Sequence, residues 1–229
     1  MNIDTVFFAL ELIGTAAFSV TGVITALEKK LDIFGAAVLS MVTAVGGGML
    51  RDIILGYLPP VAFRKSVYSI VALSVSVLVY VISYFADKDG VKIKDKFDVY
   101  TQVINVFDSV GLAVFTIGGI NSAHSCGFTQ NAYLCIFVGL LTGVGGGVMR
   151  DVLAGRVPVI LKKRIYAVAA IAGALLYQIL TEHKLLSSAP AILLSVCVIL
   201  VIRILATVFR WNLPSIKDYS RDGDKDKED

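Results

Sequence analysis

Six of the charged residues that stand inside apolar stretches of this chain fall into two matching sets. Glu11, Arg51 and Asp52 make the first, and Asp108, Arg150 and Asp151 the second. An isolated charge near the centre of a membrane helix costs ~3 kcal/mol, so these groups must pair with one another or face water. Each set holds two acids and one base, and the six formal charges sum to −2. An interior with that balance favours cations. The plainer alternative is that the charges only tie helices together. No side chain stands with a base in the arrangement a nucleophile needs, so the spacing offers no enzymatic chemistry.

The sets match because half the sequence is written twice. Residues 43 to 59 read TAVGGGMLRDIILGYLP and residues 142 to 158 read TGVGGGVMRDVLAGRVP. Upstream, ELIGTAAFSVTG at 11 to 22 lies over DSVGLAVFTIGG at 108 to 119, which places Glu11 on Asp108 and Phe18 on Phe115. Three glycines in a helix interior forfeit about 1 kcal/mol each relative to alanine. Gly46, Gly47, Gly48 and Gly145, Gly146, Gly147 therefore need a reason. Close helix packing is one. A bend or unwound turn is the other, favoured by the consecutive placement, with freed carbonyls facing a water-filled path and Thr43 and Thr142 adding hydroxyls there. On the first half of each copy, Glu11, Gly14, Thr15, Phe18, Gly22 and Asp108, Gly111, Phe115, Gly119 follow steps of three and four, one helical stripe each. Phe18 and Phe115 read either as an apolar constriction or as core.

These residues need helices that cross a bilayer. The chain is 56% hydrophobic and 17% charged with a mean hydropathy of +0.78, more apolar than an ordinary soluble domain. Seven segments approach the ~20 residues required to span the hydrocarbon core: about 5 to 27, 33 to 57, 67 to 86, 103 to 123, 131 to 154, 165 to 181 and 189 to 209. Their unbroken apolar runs read as helices, since membrane strands alternate. Asp4 stands where a signal peptide carries a basic residue, so the first segment reads as a retained span. With alternating spans, fifteen Lys and Arg fall in the connections of one side, and Arg64, Lys65 and Lys184 on the other. The N-terminus is expected outside and the C-terminus in the cytoplasm. Three spans per copy is an odd number, so the second copy enters the membrane inverted.

The expected architecture is an all-α integral membrane protein of two inverted three-helix repeats plus a seventh helix. Residues 1–86 make the first repeat, 87–102 a charged cytoplasmic linker, 103–182 the second repeat, 183–211 the seventh helix and 212–229 a polar tail. Arg203, Arg210 and Trp211 are expected to anchor the seventh helix at the interface. Cys126, Cys135 and Cys197 have no metal-type spacing, His124 and His183 have no partnering carboxylates at ligand spacing, and GGGMLRD lacks the lysine of a phosphate-binding loop. No cofactor, metal or nucleic-acid partner is expected.

The order carboxylate-xx-Gly-x-Ala-x-Phe-[Ser/Thr]-xx-Gly, then GGGxxRDxxxGxxP, twice in a seven-span chain, resembles the prokaryotic relatives of the trimeric intracellular cation channels. The likeness runs from about residue 8 to 210. It implies a homotrimer in an inner membrane, each protomer with its own pore for monovalent cations, chiefly potassium. That pore would be bordered by spans one, two, four and five, with spans two and five kinked at the triple glycines. Glu11, Thr15, Phe18, Thr43, Gly46 to Gly48, Arg51, Asp52, Asp108, Phe115, Thr142, Gly145 to Gly147, Arg150 and Asp151 would line or border the path. K⁺ or Na⁺ would be the only bound species. The same domain bears a glycine-transporter label, which makes a small-solute carrier the second expectation. Span four carries no Lys or Arg, so the basic sensor residues of animal channels do not carry over.

Overall fold

A computed structural model describes residues 3–88, 96–162 and 164–209. Among them the chain forms helices α1 (Ile3–Glu28), α2 (Ile33–Ile54), α3 (Val61–Arg64), α4 (Val67–Lys88), α5 (Lys96–Ser125), α6 (Ala132–Leu153), α7 (Val159–Lys162), α8 (Arg164–Glu182) and α9 (Ser188–Val208). Seven of these are long and apolar enough to cross a membrane; α3 and α7 are single turns inside the expected connections. α5 starts at Lys96, earlier than the expected linker allows, because Val99, Tyr100 and Val103 continue the apolar spacing of the span. Residues 89–95 of that linker, the tail 212–229 and the Arg210 and Trp211 anchor lie outside the described residues.

Local signals repeat with the sequence. Asp32 caps α2 by accepting from Gly35 N at 2.7 Å, and Asn131 caps α6 by accepting from Leu134 N at 3.0 Å. Both helices end on a left-handed glycine, Gly56 at φ 71° and Gly155 at φ 64°. The amides of Tyr57 and Arg156 reach back to the carbonyls of Asp52 and Asp151, each at 2.8 Å, closing the last turn. These glycines reverse the chain and start α3 and α7 beside the ends of α2 and α6.

α1, α2, α5 and α6 pack on one another at the centre, α4 lies on α1 and α2, and α8 and α9 lie on α5 and α6. No unwound turn is found: α2 and α6 run as single helices through Gly46 to Gly48 and Gly145 to Gly147. Packing is the reason for most of these glycines. A Cβ on Gly47 would overlap the Thr142 carbonyl oxygen, and one on Gly146 would overlap that of Thr43. A Cβ on Gly46 would lie 2.6 Å from Met149 Sδ, and one on Gly145 3.2 Å from the Gly47 Cα. The two helices therefore touch backbone to backbone, the approach that small residues permit. Thr43 and Thr142 are fully buried there and donate to the carbonyls of Leu39 and Val138, each at 2.6 Å. Each hydroxyl donates its hydrogen within its own helix. Gly48 and Gly147 differ, because their nearest neighbours, at 3.8 Å from Arg51 and 3.4 Å from Asp108, leave room for a methyl group.

Gly47→Ala and Gly146→Ala should each destabilise the fold by about 1 to 3 kcal/mol, because backbone cannot give way as a side chain does. Gly48→Ala should be neutral or stabilising by up to ~1 kcal/mol of helix propensity. Thermal denaturation in detergent checks both; equal loss at all three positions would contradict the close-crossing account.

Candidate functional site

Two charge clusters lie at the ends of this crossing. In the first, Arg51 Nε donates to Asp52 Oδ1 at 2.8 Å, and Arg51 Nη1 lies 3.7 Å from Glu11 Oε1. The second Asp52 oxygen accepts from Val61 N at 2.7 Å, so the carboxylate holds the first turn of α3. In the second cluster, Arg150 Nε donates to Asp151 Oδ1 at 3.0 Å, Arg150 Nη1 to Asp108 Oδ1 at 3.1 Å, and Val159 N to Asp151 Oδ2 at 2.9 Å. The sequence-based pairing of Glu11 with Arg51 and Asp52, and of Asp108 with Arg150 and Asp151, is found in full. Each aspartate after the arginine also fastens the returning chain.

Between the clusters Phe18 and Phe115 face each other with ring centroids 5.3 Å apart. Phe18 lies where a Cβ of Gly111 would be, and Phe115 lies 3.1 Å from a Cβ on Gly14. The stripe glycines thus give each ring its seat on the opposite repeat. Thr15 is buried and donates to the Glu11 carbonyl at 2.8 Å, so its hydroxyl serves its own helix.

Four residues of the site were not placed there from sequence. The Tyr68 hydroxyl donates to Glu11, and Tyr166 stands at the matching place beside Asp108. The repeat carried this signal, since Tyr68 and Tyr166 each follow a basic pair at the same distance in RKSVY and KKRIY. Thr21 accepts from Arg150 Nη1 at 2.9 Å. Arg203 is the larger correction. It is not an interfacial anchor: it is 3% exposed, donates from Nε to Ser109 Oγ at 3.1 Å and lies 4.5 Å over the Tyr166 ring. α9 therefore adds a buried cation to the second cluster. No seventh-helix arginine joins the first cluster, because each repeat has three spans and α9 packs against the second.

Among the described residues the clusters differ in access. The first borders a vestibule of about 400 Å³, whose wall includes Glu11, Arg51, Asp52, Tyr57, Lys65, Tyr68, Asn121, Ser122, Ser125 and the exposed thiol of Cys126. A smaller recess of about 40 Å³ past Glu11 and Gly48 ends on Phe115. Around the second, the recess bounded by Gly147, Arg150, Asp151 and Tyr166 holds about 10 Å³, room for at most one water.

Seven spans in two inverted three-helix repeats, with paired intramembrane charges at the ends of a central crossing, define an inverted-repeat integral membrane protein. A family model described as glycine transporter matches residues 8–84 and 105–182, one match per repeat. A solved chain from work on the structural basis for conductance through TRIC cation channels is 32% identical, with a TM-score of 0.78 over 95% of this chain and 98% of its own. The chain belongs to this family, the prokaryotic relatives of the TRIC channels. The TRIC trimeric intracellular cation channel orthologue from Rhodobacter sphaeroides is 29% identical, with a TM-score of 0.80 over 90% of this chain and all of its own. The inner membrane protein YadS of Escherichia coli (strain K12) is 34% identical over 89% of this chain and 92% of its own. The membrane protein YvgT of Bacillus subtilis (strain 168) is also 34% identical, over 90% and 94%.

Removing one partner of a buried ion pair costs about 3 to 5 kcal/mol. Arg150→Gln should lose that much, since it strands Asp108 and Asp151 where water cannot follow. Arg51→Gln should lose roughly 1 to 2 kcal/mol, because vestibule water can reach Glu11 and Asp52. Melting of the two variants side by side is the measurement, and the order Arg150 over Arg51 is the expected result.

Proposed function

We infer that the protein is a monovalent-cation channel, permeable to potassium, that works as a homotrimer with one pore in each protomer bordered by α1, α2, α5 and α6. The observation that carries this reading is the order of groups within a single protomer: a charged cluster open to a vestibule, the Phe115 and Phe18 rings, then a second charged cluster. Relatives described as cation channels share the fold over nearly the whole chain. The positive-inside asymmetry supports an N-terminus outside and a C-terminus in the cytoplasm, and the kinship with YadS supports an inner-membrane location. In that orientation the open vestibule faces outward.

The sign of the interior charge favours cations. The six repeated charges sum to −2, and Arg203, buried among them, brings the seven to −1. The first cluster holds two acids and one base, and Lys65 also lines the vestibule beside it, so Glu11 and Asp52 are the groups that would attract a cation there.

A small-solute carrier is the second reading, and one observation favours it. One cluster opens on a vestibule of about 400 Å³ while its repeat partner borders about 10 Å³, the kind of one-sided access that inverted-repeat carriers exchange between two states. Unitary currents of purified protein in a planar bilayer separate the two, since many ions per opening exclude an alternating carrier.

Reversal potentials across a KCl gradient should show cations preferred over chloride, and Glu11→Gln should weaken that preference with the fold intact; an anion-selective current would sink the electrostatic argument. A positively charged, membrane-impermeant thiol reagent should lower the cation current by modifying Cys126 on the vestibule wall, and Cys126→Ser should abolish the effect. Block that persists in the serine variant would place the reactive thiol elsewhere.

A further inference from the structure

The two repeats share one scaffold, so the two mouths differ through the residues at equivalent positions: Ser122 lines a vestibule, whereas its counterpart Thr25 is fully buried. Beside the first cluster, the vestibule wall includes Tyr57, Ser122 and Ser125. Under the repeat alignment their counterparts are Arg156, Thr25 and Glu28. There, Arg156 and Glu28 form an ion pair that joins the end of α1 to the turn after α6. Deeper on α1, Thr21 accepts from Arg150, whereas the residue matching Thr21 in the other copy is Gly118, which has no side chain to offer Arg51.

Thr21, Thr25 and Glu28 follow steps of four and three, so they share one face of α1. Thr25 lies between the two contacts. It is fully buried, and its hydroxyl has no hydrogen-bond partner. An orphaned hydroxyl in a protein interior calls for an explanation. Its counterpart Ser122 stands on the wall of the open vestibule. A hydroxyl that water solvates in one state and that closure dries in another fits both facts.

Resting on the transport reading above, we propose that the Glu28–Arg156 ion pair, backed by the Arg150–Thr21 hydrogen bond, is the gate of the second mouth, and that Thr25 lines a vestibule which opens when the pair parts. The pair is suited to this. The Arg156 side chain is 28% exposed and that of Glu28 10%, so both charges can rehydrate on separation. A fully buried pair would resist it.

The test uses full-length protein in liposomes with a Cys126→Ser background. Thr25→Cys, nearly the same size as threonine, should be unreactive toward a membrane-impermeant maleimide in the parent and react several-fold faster once Arg156→Gln or Glu28→Gln is added. Potassium flux in these single variants should rise roughly two- to five-fold, the population shift that a partly exposed ion pair supports. The exchange Glu28→Arg with Arg156→Glu should return both readouts toward the parent. Single variants that unfold, or that fold with Thr25→Cys still sealed, overturn the gate, and unchanged flux with a sealed cysteine does so while leaving the channel reading intact. If every protein is silent to potassium but Thr25→Cys turns reactive with Arg156→Gln, the gate stands and the cation-channel reading falls instead.

Discussion

The backbone contact between α2 and α6 is the constraint on which the other features rest. Where Gly47 meets the Thr142 carbonyl and Gly146 that of Thr43, the helices approach more closely than any side chain would allow. That approach fixes the position of each arginine one turn further along. Arg51 and Arg150 leave the crossing at opposite ends, each toward an acid on the adjoining α1 or α5. Helix–helix packing in a bilayer lacks the water-driven term available to soluble proteins, so tight van der Waals contact of this kind has to supply much of the association.

Polar groups then fasten what the glycines bring together. Each arginine holds two carboxylates, and the aspartate beside it spends its second oxygen on the first turn of the short helix that follows. The left-handed glycines at positions 56 and 155 make that return possible. The GGGxxRDxxxG signature can therefore be read as a single device: a close crossing, a charge aimed along it, a carboxylate that receives the chain, and the turn that delivers it. Burying these groups carries little net cost because nearly every donor and acceptor is matched.

Much of this was legible in the sequence. The seven spans, the inversion and the pairing of Glu11 with Arg51 and of Asp108 with Arg150 follow from hydropathy, loop charge and the duplication. The triple glycines offered both close packing and an unwound turn, and the sequence could not choose, because local propensity penalises glycine whatever it touches and cannot reveal that a facing backbone fills the space. Tyr68 and Tyr166 were visible in the repeat but sat at span edges, where tyrosine is common for interfacial reasons. Arg203 was misassigned for a related cause: a lone arginine near a span end looks interfacial until the neighbouring helix shows Ser109 and Tyr166 waiting for it. The unequal mouths had no sequence signature until structure showed which equivalent residues face each other.

The α2–α6 crossing also has the logic of a two-fold dimer interface folded into one chain. Residue 47 meets 142 while 146 meets 43, so the contact is isologous, the same patch presented twice to itself. A symmetric seam of this kind can relax its symmetry only away from the axis, where equivalent positions no longer touch each other. That is where Gly118 stands opposite the role of Thr21, where Ser125 and Tyr57 stand in place of Glu28 and Arg156, and where α9 leans on one half alone. The axis preserves the shape that the halves share, and the periphery is free to give the protein a direction.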